Sequence, residues 1–182
     1  MNFRVSKYLV CCVLFLNMQA AAYDFMPGDW FLTPKVGAVI NVARYKALFS
    51  STPEVGFLIG ADLEYMMTDF TAIYGSLYPY VAADNINVGF AAGAKYRIID
   101  WLNPVILYGS AGVSSGFLFS LETNGKIHAN VGVKLGIGLE YFVLRNLAID
   151  FAIDLEPSVM FMAGKTSFEF SIEPVLGVLW RI

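Results

Sequence analysis

The sequence predicts an all-β fold, an antiparallel up-and-down transmembrane β-barrel of about eight strands preceded by a cleaved signal peptide. Three observations lead there. Hydrophobic residues make up 57% of the 182 residues and charged residues only 15%, where a soluble domain carries about 25% charged residues. Past the first 22 residues, only one charge-free stretch approaches the roughly 20 apolar residues that a spanning helix needs. Apolar and polar residues alternate with period two in segment after segment, the pattern of strands whose two faces meet different surroundings.

The first element, residues 1–22, reads as the signal peptide. Arg4 and Lys7 form a basic start, Tyr8 to Leu16 is uninterruptedly apolar, and Ala20, Ala21 and Ala22 are the small residues a signal peptidase reads. Cleavage after Ala22 leaves one domain, residues 23–182, beginning at Tyr23. An apolar stretch of that length is too short to anchor as a helix. Cys11 and Cys12 are the chain's two cysteines. Both lie inside the apolar run rather than after it, so lipidation is disfavoured and the mature domain has no disulfide. Formal net charge is -3, and loss of Arg4 and Lys7 makes it more acidic, which excludes nucleic acid as a partner.

The strands follow in order. Trp30 to Val42, Val55 to Met66 and Phe70 to Tyr80 alternate weakly. From Ile86 to Arg97 the even positions Ile86, Val88, Phe90, Ala92, Ala94 and Tyr96 oppose Asn87, Gly89, Gly93, Lys95 and Arg97. The charge-free stretch Trp101 to Leu121 holds Pro104, three glycines and four serines; a helix there is poorly stabilised, and Pro104 to Phe119 is taken as a strand. Alternation is clearest from Ile127 to Tyr141. From Leu147 it places Asp150, Asp154 and Glu156 on one face, and the last strand pairs an outer set from Phe168 to Ile182 with Glu169, Glu173 and Arg181 on the other side. Pro34, Pro79, Pro104 and Pro174 each cost a ladder hydrogen bond inside a strand. Short links are expected at 67–69, 98–103 and 143–146, longer ones at 43–54, 120–126 and 157–166, with the link at 81–85 shorter than that scheme prefers.

Side-chain size assigns the faces. The apolar face carries large residues and ends in Trp30, Tyr65, Phe70, Tyr96, Tyr141 and Trp180, as aromatic girdles at a membrane surface do. The other face is rich in glycine, and the lumen of an eight-stranded barrel is only wide enough for side chains to fill it. The apolar face therefore meets lipid, and the opposite facing, a soluble periplasmic barrel binding lipid inside, would expose glycine and few charges. The lumen then holds Lys35, Asp62, Glu64, Lys95, Arg97, Lys134, Glu140, Asp150, Asp154, Glu156, Glu169, Glu173 and Arg181, of both signs and able to pair. Closure satisfies every strand edge, which lipid requires. Short turns and both termini on the periplasmic side, with longer loops outside, match a bacterial outer-membrane location. Arg44, Tyr45, Lys46, Leu48 and Phe49 in the first loop are the most noticeable exposed cluster.

The C-terminal run Gly177-Val178-Leu179-Trp180-Arg181-Ile182 resembles the signature that the barrel-assembly machinery reads, with Gly177 followed by Trp180 and Ile182 at alternate positions. It ends in isoleucine where phenylalanine is common and has Val175 where a polar residue is usual. Taken whole, the mature chain resembles the small barrels grouped with OmpA, OmpX and the opacity proteins. That resemblance implies outer-membrane lipid, the assembly machinery and an extracellular or host-surface ligand as partners, and no cofactor.

The narrow, charge-filled lumen favours a structural or surface-interaction barrel that is plugged. The alternative is a narrow channel or uptake conduit like the OmpW family. A lipid-modifying enzyme is the third reading, because His128, Asn130 and Glu140 share one face of one strand. The spacing resembles the His-x-Ser pair of small lipid A deacylases, but Asn130 stands where the nucleophile belongs. The single histidine cannot build a multi-histidine metal site. Asp150, Asp154 and Glu156 could draw a cation, with lumen salt bridges the expected use of their charge.

Overall fold

The computed structural model describes residues 25–44, 54–82, 85–102, 105–120, 127–162 and 165–182. The expected signal peptide and most of the first loop's cluster, from Tyr45 to Phe49, lie outside them. Eight strands are present: β1 (Trp30–Arg44), β2 (Glu54–Met66), β3 (Thr71–Ala82), β4 (Asn85–Leu102), β5 (Val105–Ser120), β6 (Ile127–Leu144), β7 (Leu147–Met162) and β8 (Lys165–Arg181). Each pairs antiparallel with its sequence neighbours, and β1 pairs with β8 to close the barrel.

Several strands outrun their sequence-based limits. The link expected at 98–103 is largely strand, with the β4–β5 register shifting between Ile98 and Leu102. The long loop expected at 157–166 is also a correction. Strand β7 continues through Pro157 to Met162, and β8 begins at Lys165. The reason is local: Pro157 still pairs with Phe170 of β8, and the β6–β7 ladder lapses beside it, between the Gly132↔Ser158 and Leu135↔Leu155 pairs, and resumes below. Alternation also persists, since Ser158 and Met160 turn inward while Val159 and Phe161 turn outward.

The other strand prolines behave in the same way. Pro79 keeps its pairing with Val88 while the β2–β3 ladder lapses beside it, and Pro174 keeps Ile153 while the β1–β8 ladder lapses. Pro34 keeps Ala61 and leaves a second lapse in β1–β8. A proline lacks one donor, and that donor would have served one side of the strand only.

The facings follow side-chain size. Large apolar residues such as Phe57, Phe90, Val113, Ile137 and Phe161 point outward, and a barrel closed on itself leaves no strand edge to lipid. At the end where the termini lie, Trp30, Phe70, Tyr96 and Trp180 are exposed, with the Trp30 and Tyr65 rings 4.9 Å apart across β1 and β2. This is the turn end. Strands β6 and β7 are joined there by Arg145 and Asn146 alone. The β2–β3 turn is held by the Thr68 hydroxyl oxygen, which accepts from the Thr71 amide at 3.0 Å.

Candidate functional site

The lumen is the site, and it is built in layers from the turn end upward. Before β1 the chain turns at Gly28, whose φ of 97° is a conformation glycine adopts without strain. The Gly28 amide donates to the Met66 carbonyl at 2.9 Å and the Met66 amide to the Asp29 carbonyl at 2.9 Å. Asp29 also pairs with Arg181 at 2.6 Å. This tether swings Phe25 under the barrel mouth, where it is buried and packs 5.7 Å from Phe31 and 5.6 Å, edge on, from Phe142. With Met66, Ala72, Ile106, Ala148 and Leu179 these rings form an apolar cork.

Above the cork lies an ion-paired layer. Arg97, fully buried, donates through Nε and Nη2 to the two oxygens of Glu140 at 2.9 and 2.8 Å, and through Nη2 to Glu64 at 2.6 Å. Lys95 pairs with Glu64 and lies 3.5 Å from Glu140. The guanidinium also rests 4.6 Å from the Phe25 ring centre, so the cork and the charges touch. Two-pronged pairing of this kind offsets desolvation of the charges.

Higher up, one arrangement occurs twice. Tyr108 lies over Gly138, its partner across β5 and β6. Its hydroxyl donates to Asp150 at 2.8 Å, and Lys95 sits 4.2 Å from its ring centre. Tyr78 lies over Gly89, its partner across β3 and β4. Its hydroxyl donates to Glu156 at 3.1 Å, and Lys134 sits 4.0 Å from the ring. Each glycine seats a ring, each ring faces a lysine as a cation–π contact, and each hydroxyl meets an acid. Lys35 pairs with Asp62 at 2.7 Å, and Lys134 with Glu173 and, at 3.3 Å, with Asp154.

At the loop end the lining becomes amide and acid: Asn41, Asn87, Asn130, Ser158, Glu169 and Ser171, with Tyr80 accepting from the Asn87 amide nitrogen at 2.9 Å. Among the described residues, one cavity beside Lys35, Lys95 and Lys134 has a volume of about 20 Å³ and one at the loop end about 10 Å³, room for about one water each.

Most of the predicted lumen charges meet in ion pairs, whereas Asp150 accepts from the Tyr108 hydroxyl, Glu169 lines the loop-end cavity, and Arg181 sits half-buried at the mouth on Asp29. Of the C-terminal signature, Gly177 faces inward beside Thr33, while Trp180 and Ile182 point out. His128 and Glu140 do share a face, but twelve residues of strand, about 40 Å at 3.3 Å each, separate them. Glu140 is committed to Arg97. Among the described residues no three His, Cys, Asp or Glu side chains group to hold a metal.

The expectation that small and charged residues fill the lumen, rather than large rings, needs correction. Phe31, Phe142, Tyr74, Tyr78, Tyr80 and Tyr108 are all inside. The glycines that the alternation placed on the inner face are the reason, because they make room for rings from the neighbouring strand. The available signal was Gly89 and Gly138 lying opposite tyrosines in register, which only pairing reveals.

No family model matches the chain, and no curated protein matches it by sequence. Solved structures do resemble it. Neisserial surface protein A superposes with a TM-score of 0.69 at 16% identity, covering 84% of this chain and 97% of that one. The N-terminal β-barrel domain of Pseudomonas aeruginosa OprF gives 0.57 at 16% identity over 85% of this chain and 98% of its own. The outer membrane protein OprG of the same organism gives 0.56 at 12% identity over 88% and 99%. With its closed eight-strand topology and its apolar outer face, the chain has the fold of the small eight-stranded outer-membrane β-barrels.

Proposed function

We propose that this chain is a non-conducting outer-membrane barrel with a structural or surface-interaction role, its loop end turned to the cell exterior. The observation that carries this reading is the stack of the Phe25 cork on the Arg97–Glu64–Glu140 layer at the turn end. A channel needs a continuous wet path, and here an apolar layer and a fully paired one lie in series. Where a serine hydroxyl meets an acid, Ser171 on Glu173 at 3.2 Å, it is buried in a filled lumen with no room for a substrate, so a binding or architectural role is preferred over catalysis. Purified protein in planar bilayers is expected to give a flat baseline at all applied voltages. Stable unitary current steps would overturn the reading in favour of a narrow conduit.

Maturation belongs to the same proposal. Cleavage after Ala22 makes Phe25 the third residue of the mature chain, short enough a lead to tuck under the mouth. Mass spectrometry of protein recovered from the outer-membrane fraction is expected to find Tyr23 at the N-terminus. An intact residue 1–22 segment there would refute the leader.

A further inference from the structure

We propose that a groove on the outer surface of β1 to β4 is a lipid site, seating one acyl chain of a glycerophospholipid whose headgroup lies at the turn end. The groove follows from the outward half of the alternation. Strand β3 turns Gly75 outward between Ile73 and Leu77, and a Cβ built there meets nothing within 4 Å. Register places Gly75 beside Leu63 of β2, and Leu77 between Ala61 of β2 and Phe90 of β4. The two small residues Ala61 and Gly75 therefore lie diagonally on neighbouring strands and form a floor. Leu32, Leu63, Leu77 and Phe90 stand around it, and the groove has a volume of about 390 Å³, within the range of about 300–1,000 Å³ of small-ligand sites. The polar residues between the floor positions are committed inward, since Asp62 pairs with Lys35 at 2.7 Å and the Ser76 hydroxyl accepts from the same ammonium at 3.2 Å. The side chains left on the outer face here are all apolar.

Location selects the occupant. The groove is continuous with the apolar surface that the barrel turns to the outer membrane, so what reaches it is hydrocarbon. No water is released when one apolar surface replaces another in lipid, and the gain is in contacts, because atoms lining an unfilled recess forfeit their dispersion partners on one side. An acyl chain is thin and flexible enough to follow the furrow. A second barrel is convex, and two convex surfaces meeting here touch along a narrow strip rather than over the roughly 1,200 Å² or more that a stable interface buries.

The end of the groove toward the mouth sets the polarity of the lipid. Two residues below Leu32 and Leu63 stand Trp30 and Tyr65, paired across β1 and β2 with ring centres 4.9 Å apart. Such rings lie at headgroup level, apolar in body and hydrogen-bonding at the tip, which suits them to the ester and phosphate region. From Tyr65 to Ala61 is four residues of strand, about 13 Å at about 3.3 Å each. That is about half of the roughly 25 Å apolar band, so the site lies within one leaflet. That this leaflet is the periplasmic one rests on the loop end facing outward. The groove itself needs neither that orientation nor a closed lumen, so current steps in a planar bilayer would leave it standing.

The test is titration of dioleoyl phosphatidylcholine, which has no net charge, into the folded barrel in a non-ionic detergent, with bound lipid counted by native mass spectrometry. One lipid is expected to bind and reach a plateau before a second adds. Gly75→Leu and Ala61→Leu, which fill the floor, are each expected to weaken that first site by about tenfold, the worth of roughly two methylene groups of apolar contact, while keeping the gel mobility of the folded form. Should one of them fail to fold, the other carries the test. Ile153→Leu, outward on β7 at the opposite side of the barrel, is expected to leave binding unchanged. Trp30→Ala is expected to weaken phosphatidylcholine but not oleate, a chain without that headgroup, and equal phosphatidylcholine affinity in that variant would overturn the headgroup's placement. Absence of a first-site plateau, wild-type affinity in Gly75→Leu and Ala61→Leu, or a dimer of barrels that the same two variants abolish would each overturn the site.

Discussion

Replacing Arg97 with alanine is expected to cost about 3–5 kcal/mol of folding stability, the largest effect of any single substitution in the lumen. The guanidinium is fully buried and engages both oxygens of Glu140 and one of Glu64. Its loss leaves two buried carboxylates sharing Lys95 alone and removes the cation resting on the Phe25 ring. Urea unfolding in detergent micelles, followed by the mobility difference between boiled and unboiled samples, measures it directly. A double change of Arg97→Met and Glu140→Gln removes the stranded charge while keeping the Lys95–Glu64 pair, and is expected to recover much of the loss. A shift of the Arg97→Ala midpoint equivalent to less than about 1 kcal/mol, the worth of an exposed pair, would mean that the layer is wet rather than sealed.

The second large effect is expected from a single methyl group. Gly138→Ala places a Cβ where the Tyr108 ring lies and 2.7 Å from the Phe151 carbonyl. Forcing extra carbon into a filled core costs about 1–3 kcal/mol. Here the displaced ring also gives up its 2.8 Å bond to Asp150 and its contact with Lys95. Gly89→Ala, under Tyr78, is expected to behave alike. Gly75→Ala is the contrast, because a Cβ there meets nothing within 4 Å and points to lipid, so its unfolding midpoint is expected to stay put or rise. Equal losses at Gly75 and Gly138 would show that backbone freedom, and not the ring seat, is what these glycines supply.

Much of this molecule was legible in its residues because a strand's period is two, and one face here is almost purely apolar. That alternation placed Lys95, Arg97, Lys134, Glu140 and Asp150 in the lumen without any knowledge of pairing. Strand limits near Pro157 were not legible, since a proline announces a lost donor but not which of two neighbouring ladders loses it. The tyrosine seats were hidden for a related reason. Gly89 and Gly138 read as small inner residues, and only register shows that Tyr78 and Tyr108 lie across from them. The cork was the least legible part. Phe25 precedes the first alternating segment, and its place depends on a turn at Gly28 and on an ion pair between Asp29 and Arg181, 152 positions apart.

Two of the four strand prolines, Pro34 and Pro174, interrupt the same ladder, the one that joins β1 to β8. Until that ladder forms, β1 and β8 are open edges, and an open edge is a template on which a strand from another chain can add. A visiting strand would find a donor missing on each edge, so neither offers the unbroken row that extended pairing between molecules needs. The native partners tolerate the gaps because the ion pairs and the cork hold the cylinder from within, a support no stranger can supply. Protection against linking with neighbouring chains is thus written into the two strands that need it before the cylinder shuts.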